Sequence, residues 1–137
     1  MEKPIHFIET RQFKAIFPNT LNSNGTLFGG QAMQWMDEVA FITATRFTRT
    51  RMVTICTEKI KFLKAVYPES IVEVVGRIEK TEAVKLTVKV EIYVEQMYGH
   101  ERNKAIEGTF VFASLDENMH PKRIDKITAK LIGATIK

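Results

Sequence analysis

Apolar positions along the chain follow two periods. From Gly29 to about Phe47 they recur every three to four residues, the spacing of one helical face, over a longer stretch than anywhere else. Further on, Leu86, Val88, Val90, Ile92 and Val94 alternate with Thr87, Lys89, Glu91, Tyr93 and Glu95, as in a strand with one face buried. The same count puts Thr54, Cys56, Glu58, Ile60 and Phe62 on one face of an earlier strand, and Thr57, Lys59 and Lys61 on the other. Phe7 to Phe17, which Pro18 stops, also reads as a strand, as do Ile71 to Ile78 and Gly108 to Leu115. Asn19 to Gly25 is rich in turn formers, Met97 to Asn103 reads as a loop, and the tail after Pro121 has room for a short helix.

One long helix comes early, and strands then follow one another without helical crossovers. The pattern predicts an α+β fold with a mainly antiparallel sheet whose one face is covered by the helix. Polar alternation on the other face leaves it to water or to another subunit. No repeat, low-complexity tract or linker divides the chain, so residues 1–137 read as one domain.

Composition adds bounds. Hydrophobic residues make up 45% and charged residues 26%, a globular rather than a disordered balance. The net charge of +4 favours approach of a polyanionic small ligand, but the cations are scattered and form no basic helix face, so nucleic acid is not implied. The single cysteine, Cys56, excludes a disulfide within the chain and points to a reducing compartment. Its strand-like run, Met52 to Cys56, predicts a buried, inert thiol. The N-terminus has no apolar signal core. The most apolar stretch, Trp35 to Phe47, is broken by Asp37, Glu38 and Arg46, which argues against a membrane span. The expectation is a soluble cytoplasmic protein. The three histidines, His6, His100 and His120, are too far apart for metal-ligand spacing, so no metal is expected.

On a wheel at about 100° per residue, Gln31, Gln34, Glu38 and Thr45 form a polar stripe with Arg46 at its edge. Glu38 reads as a solvated member of that stripe. Asp37 does not belong to it: its neighbours on the wheel are Gly30, Met33, Ala40, Phe41 and Ala44. Aspartate disfavours helix interiors and is costly to bury as an anion, so this position reads either as a buried polar group satisfied by a nearby hydroxyl or amide, or as a general base or nucleophile in an apolar cleft. At the start of the helix, Gly29 and Gly30 leave backbone N–H groups unshielded where a developing oxyanion would be stabilised. Asn22, in the preceding loop, reads either as a plain turn residue or as an amide that holds water or polarises a carbonyl. Gly30 and Asp37 lie on one side but about 10 Å apart along the axis. One helix hardly serves both ends of one reacting group, whereas two antiparallel copies can, with donors from one chain and Asp37 from the other.

The run Asn22-Ser23-Asn24-Gly25-Thr26-Leu27-Phe28-Gly29-Gly30, followed by Met33 and Trp35-Met36-Asp37-Glu38, resembles the hotdog-fold acyl-CoA thioesterases of the cytosolic acyl-CoA hydrolase type. The likeness continues through Thr54 to Phe62, Phe62 to Val66 and Thr109 to Phe112. It implies a curled antiparallel sheet wrapped around one long helix. It also implies dimers with a continuous sheet and sites at the subunit interface, often assembled further into tetramers or hexamers. By the same resemblance Asp37 is the catalytic residue that activates water and Asn22 its catalytic amide partner. Gly30, with Gly29, supplies the oxyanion donor. Phe28 and Met33 suggest an apolar tunnel for substrate, and Lys85, near a position where the pattern often has serine beside the CoA groove, reads either as a partner of a CoA phosphate or as a solvated lysine. No cofactor is implied; CoA enters as part of the substrate. Ala65 stands where the pattern has proline, and Glu58 where it has aspartate. Two other readings fit the fold, a non-catalytic acyl-CoA sensor domain and a hydratase or dehydratase. The first usually carries a DNA-binding helix pair, for which there is no room before the domain, and the second usually pairs a histidine with its acid, which this motif lacks.

Overall fold

The computed structural model describes residues 8–124. Strand β1 (Glu9–Ala15) ends at a 3-10 turn, Pro18–Thr20, and a loop leads into helix α1 (Gly29–Thr48). Then come β2 (Met52–Phe62), β3 (Ser70–Thr81), β4 (Lys85–Gln96), β5 (Arg102–Leu115) and a two-residue β6 (Pro121–Lys122). All pairings are antiparallel, in the order β1-β3-β4-β5-β2, with β6 added to the end of β5. This is the α+β architecture expected, one helix laid on one face of a curled sheet. The expected tail helix falls partly on Pro121–Lys122, which form the short strand, and otherwise lies outside the described residues.

The helix buries Ala32, Met36, Val39, Ala40, Thr43, Ala44 and Phe47 against the alternate residues Val72, Val74, Leu86, Val88, Val90, Ile92, Phe110 and Phe112 of the sheet. At the closest approach, Gly76 of β3 leaves no room for a side chain. A Cβ there would lie 2.6 Å from Thr43 Oγ1 and 2.9 Å from Val39 Cγ1. Ile60 fills the corresponding space above Gly108.

On the outer face two carboxylates are buried, Glu73 at 6% and Glu91 at 7% exposure. Arg11 bonds Glu73 at 3.0 Å, and Arg102, stacked on the Tyr93 ring, also reaches it. Glu91 is met by Lys104 at 2.9 Å and by Arg77 at 3.5 Å. Burial alone raises a carboxyl's pKa, but the hydrogen bonds from Arg11 and Arg102 outweigh it and hold Glu73 below the ordinary carboxylate range. Lys104 and Arg77 do the same for Glu91.

Three expectations are corrected. The last long strand begins at Arg102, not Gly108, because Arg102, Lys104 and Glu107 all ion-pair across the outer face and so look loop-like by composition. The strict alternation read for β2 fails. Extra residues between Thr54 and Cys56 and between Glu58 and Lys61 place Thr54 opposite Phe112 and Thr57 opposite Phe110, while Cys56 faces outward opposite Val111. Cys56 is accordingly exposed, not buried, since it lies on the outer face of an edge strand.

Candidate active site

The loop before the helix is organised by Asn22. Its side-chain Oδ1 accepts from the backbone N–H of Asn24 at 2.8 Å and of Thr26 at 3.2 Å, and its Nδ2 donates to Thr26 Oγ1 at 3.0 Å. Gly25, at φ 76°, makes the turn that only glycine adopts without strain. The N–H of Leu27 bonds to the Val66 carbonyl and that of Phe28 to the Thr20 carbonyl, both at 2.8 Å, which fixes the chain's entry into the helix.

Phe28 is the N-cap residue, and no side chain caps the helix there. Within the helix the first acceptor, the Phe28 carbonyl, is used by Ala32, so the N–H groups of Gly29 and Gly30 have no intrahelical partner. The Phe28 ring leans into the space a Cβ on Gly30 would occupy, its nearest atom 2.6 Å from that position, and the residue stays 54% exposed. Asn22 and Gly29 line one cavity of about 420 Å³, together with Phe62 and Val66. Asn22 and Gly29 are therefore brought together in one chain, whereas Gly30 does not line that cavity.

Asp37 stands two turns further along and lines none of that cavity. Its Oδ1 accepts a hydrogen bond of 3.0 Å from the Thr54 hydroxyl on β2. The expectation of an apolar cleft is corrected within one chain: Asp37 is exposed, because the buried arc of the helix is centred on Met36, Ala40 and Thr43 and Asp37 falls at its border. Of its apolar neighbours on the wheel, Ala40 and Ala44 are buried, Met33 is half-buried and Phe41 is 46% exposed; beside Thr54, Ile55 is 47% exposed. Glu38 behaves as the wheel indicated, accepting from Gln34 at 3.2 Å on the polar stripe, and does not share in the Asp37 contact.

Lys85 is not brought to either place. It lies at the start of β4 on the outer face and lines a separate cavity of about 490 Å³ with Cys56, Glu58 and Lys59. Thr54 is the residue sequence reasoning missed. The available signal was a polar side chain in the strand just after the helix, but only the register with Phe112 shows that it points at the helix. Among the described residues no three His, Cys, Asp or Glu side chains form a metal-ligand group, and no helix is long and apolar enough to cross a membrane.

Residues 24–99 match the family model described as the thioesterase superfamily. The chain is similar to an uncharacterised acyl-CoA thioester hydrolase of Buchnera aphidicola, 30% identical over 110 residues that cover 78% of this chain and 82% of that one. It is 29% identical to an acyl-CoA thioester hydrolase of Salmonella typhimurium over 77% of this chain and 81% of the relative. Among solved structures, an acyl-CoA hydrolase from Bacillus cereus superposes with a TM-score of 0.82 at 24% identity, covering 93% of this chain and 82% of that one. A hexameric thioesterase from Yersinia pestis gives 0.76 at 28% identity, over 82% of this chain and 92% of that one.

Proposed function

Since this chain belongs to the thioesterase superfamily, we propose that it hydrolyses acyl-CoA thioesters to the free acid and CoA, at a site completed by two copies. The observation that carries the site is its division. The uncapped helix start and Asn22 share one cavity, while Asp37 lies about 10 Å along the helix with Thr54, exposed and outside that cavity. A reacting carbonyl needs the oxyanion donors within about 3 Å, and the water that attacks it needs the aspartate within hydrogen-bond reach. A second helix running antiparallel supplies the missing half to each, giving two equivalent sites per two-fold dimer.

In this reading the thioester carbonyl oxygen accepts hydrogen bonds from the Gly30 N–H, with Gly29 beside it, and from the Asn22 amide. The partner's aspartate takes a proton from water as the water oxygen bonds to the carbonyl carbon. The tetrahedral oxyanion is held by donors already fixed in place, and the positive end of the helix favours the charge. Collapse re-forms the carbonyl and breaks the C–S bond, and the sulfur leaves as CoA thiol with the proton the aspartate had taken, which restores the carboxylate. Phe28 and Met33 supply apolar surface near the carbonyl, and Lys85 is available to a phosphate of CoA. The chemistry uses no metal or further cofactor. The homodimer is the least assembly that works, and the hexameric relative makes further association of dimers the natural extension.

The test is a panel of acyl-CoAs from about two to eighteen carbons, followed by free-thiol release with and without EDTA. Hydrolysis of at least part of the panel, unaffected by EDTA, is the expected result. Tight binding with no hydrolysis anywhere in the panel would replace the enzyme by a sensor.

A further inference from the structure

An amide that donates to a thioester carbonyl must present its nitrogen, and an asparagine on a loop is ordinarily free to turn. Asn22 is not. Its Oδ1 accepts from the backbone N–H of Asn24 at 2.8 Å and from that of Thr26 at 3.2 Å. The NH2 group of an amide cannot accept from an N–H, so these two donors decide which end of the side chain faces into the loop. The NH2 end is the one left to face outward, and Asn22 and Thr26 both line the cavity by the helix start.

That end carries two hydrogens. Thr26 Oγ1 takes one, at 3.0 Å, and among the described residues Nδ2 has no second acceptor. The same hydroxyl lies 3.3 Å from Oδ1, a longer contact to an oxygen that already serves two donors. The bonds to Oδ1 choose the end of the amide, and the bond to Thr26 sets the rotation of its plane. The turn itself does not need the hydroxyl. Its backbone is closed by the Asn22 N–H on the Thr26 carbonyl at 2.7 Å and the Gly25 N–H on the Asn22 carbonyl at 3.1 Å. Hydrogen bonds in a chain polarise one another, so the donors on Oδ1 make the remaining N–H of Asn22 a stronger donor.

Resting on the thioesterase reading, we infer that Thr26 is a positioning residue: by holding one hydrogen of the Asn22 amide, it aims the other at the thioester carbonyl. The hydroxyl does not touch the reacting atoms. It stops the plane of the amide from swinging away, so the donor is in place before charge develops on the carbonyl oxygen, where a fixed hydrogen bond contributes most. The effect belongs to the transition state and falls on kcat, with KM little changed.

Thr26→Val keeps the branched shape and loses the hydroxyl, and Thr26→Ala is a second route should the valine chain not fold. Each is expected to lower kcat roughly threefold to tenfold, the contribution of one neutral hydrogen bond, with KM within about twofold. Thr26→Ser is expected to restore most of the loss. Selective nitrogen-15 labelling of asparagine gives a readout other than activity. The side-chain NH2 pair of Asn22, identified by its loss in Asn22→Ala, should keep its place in Thr26→Ser and shift toward that of an amide free to turn in Thr26→Val. The backbone signal of Asn22, which reports closure of the turn on the Thr26 carbonyl, should change little in either. An unchanged kcat in folded Thr26→Val or Thr26→Ala would overturn the inference. So would a loss of kcat with the Asn22 pair unmoved, which would make Thr26 a contact of the substrate. A loss that serine fails to repair and that moves the Asn22 backbone signal would overturn it too, leaving Thr26 as part of the turn alone. In each of these cases the wild type is active and the thioesterase stands, whereas a wild type that hydrolyses no acyl-CoA removes the thioesterase and this inference with it.

Discussion

The Thr54 hydroxyl donates to Asp37 Oδ1 at 3.0 Å and so ties the edge strand β2 to the middle of the helix. The bond leaves Oδ2 as the carboxylate oxygen free to face a water, and it fixes the rotation of the side chain. Hydrogen bonds to a charged group are worth about 1.5–3 kcal/mol. Thr54→Ala is expected to lower kcat on the order of tenfold or more with little change in KM, and Thr54→Ser to restore most of it. Steady-state kinetics on one good acyl-CoA decide this, and a loss that serine fails to repair would assign Thr54 to packing instead.

Asp37 and Glu38 are adjacent carboxylates with different surroundings. Glu38 hydrogen-bonds only along its own helix surface, to Gln34. Asp37→Asn is expected to reduce kcat about a hundredfold or more, as for loss of a general base, and Glu38→Gln much less. Comparable losses from the two substitutions would contradict the assignment.

A shared site has a signature in mixtures. Asn22→Ala and Asp37→Asn chains are each expected to be inactive. If subunits exchange at random, half the dimers are mixed, and in each of these one site collects both lesions and the other none. Activity then returns to at most about a quarter of wild type. Proven exchange without rescue means that each chain holds its own complete site.

The outer face predicts an acid limb of stability. The folded-state pKa values of Glu73 and Glu91 are lowered from 4.5, so the unfolded chain binds their protons first as pH falls. Their contribution is full above about pH 4.5 and is lost as pH drops through the folded values. Thermal midpoints measured from pH 7 to 3 should fall steeply below that point. Glu73→Gln should lower the midpoint at pH 7 and flatten the acid limb.

Gly76→Ala tests the contact between helix and sheet. With Thr43 and Val39 both inside 3 Å of the added carbon, one or both layers must move. Overpacking of this kind costs about 1–3 kcal/mol, seen as a lower thermal midpoint.

Much of this was legible in the chain because it is periodic. The helix from Gly29 and the alternation of Leu86 to Val94 depend on local spacing alone, and both stand where the pattern put them. So does the pairing of Asn22 with the helix start, since only a short loop separates them. What the chain concealed depends on distant partners. The start of β5 at Arg102 needs Glu73 of another strand to explain its charges. The exposure of Cys56 needs the knowledge that β2 is an edge. The exposure of Asp37 reflects where the buried arc of α1 ends, a boundary set by the sheet and not by the wheel.

The two irregularities of β2 act on its side chains as a pair of compensating frameshifts. Eight steps separate Thr54 from Phe62, against six between their opposite numbers Phe112 and Ile106, so each irregularity inserts one residue and the second restores the phase the first disturbed. The ends of the strand read as if nothing had happened, and only the middle is inverted, turning Thr57 toward the helix and Cys56 and Glu58 away. Deleting Ile55 would therefore remove the first irregularity and leave Thr54 opposite Phe112 and Cys56 opposite Val111, as they now stand. Deleting one residue between Glu58 and Lys61 as well would make the strand regular, with Thr54 still at Asp37, Phe62 still opposite Ile106, and the middle three residues on the faces they already hold.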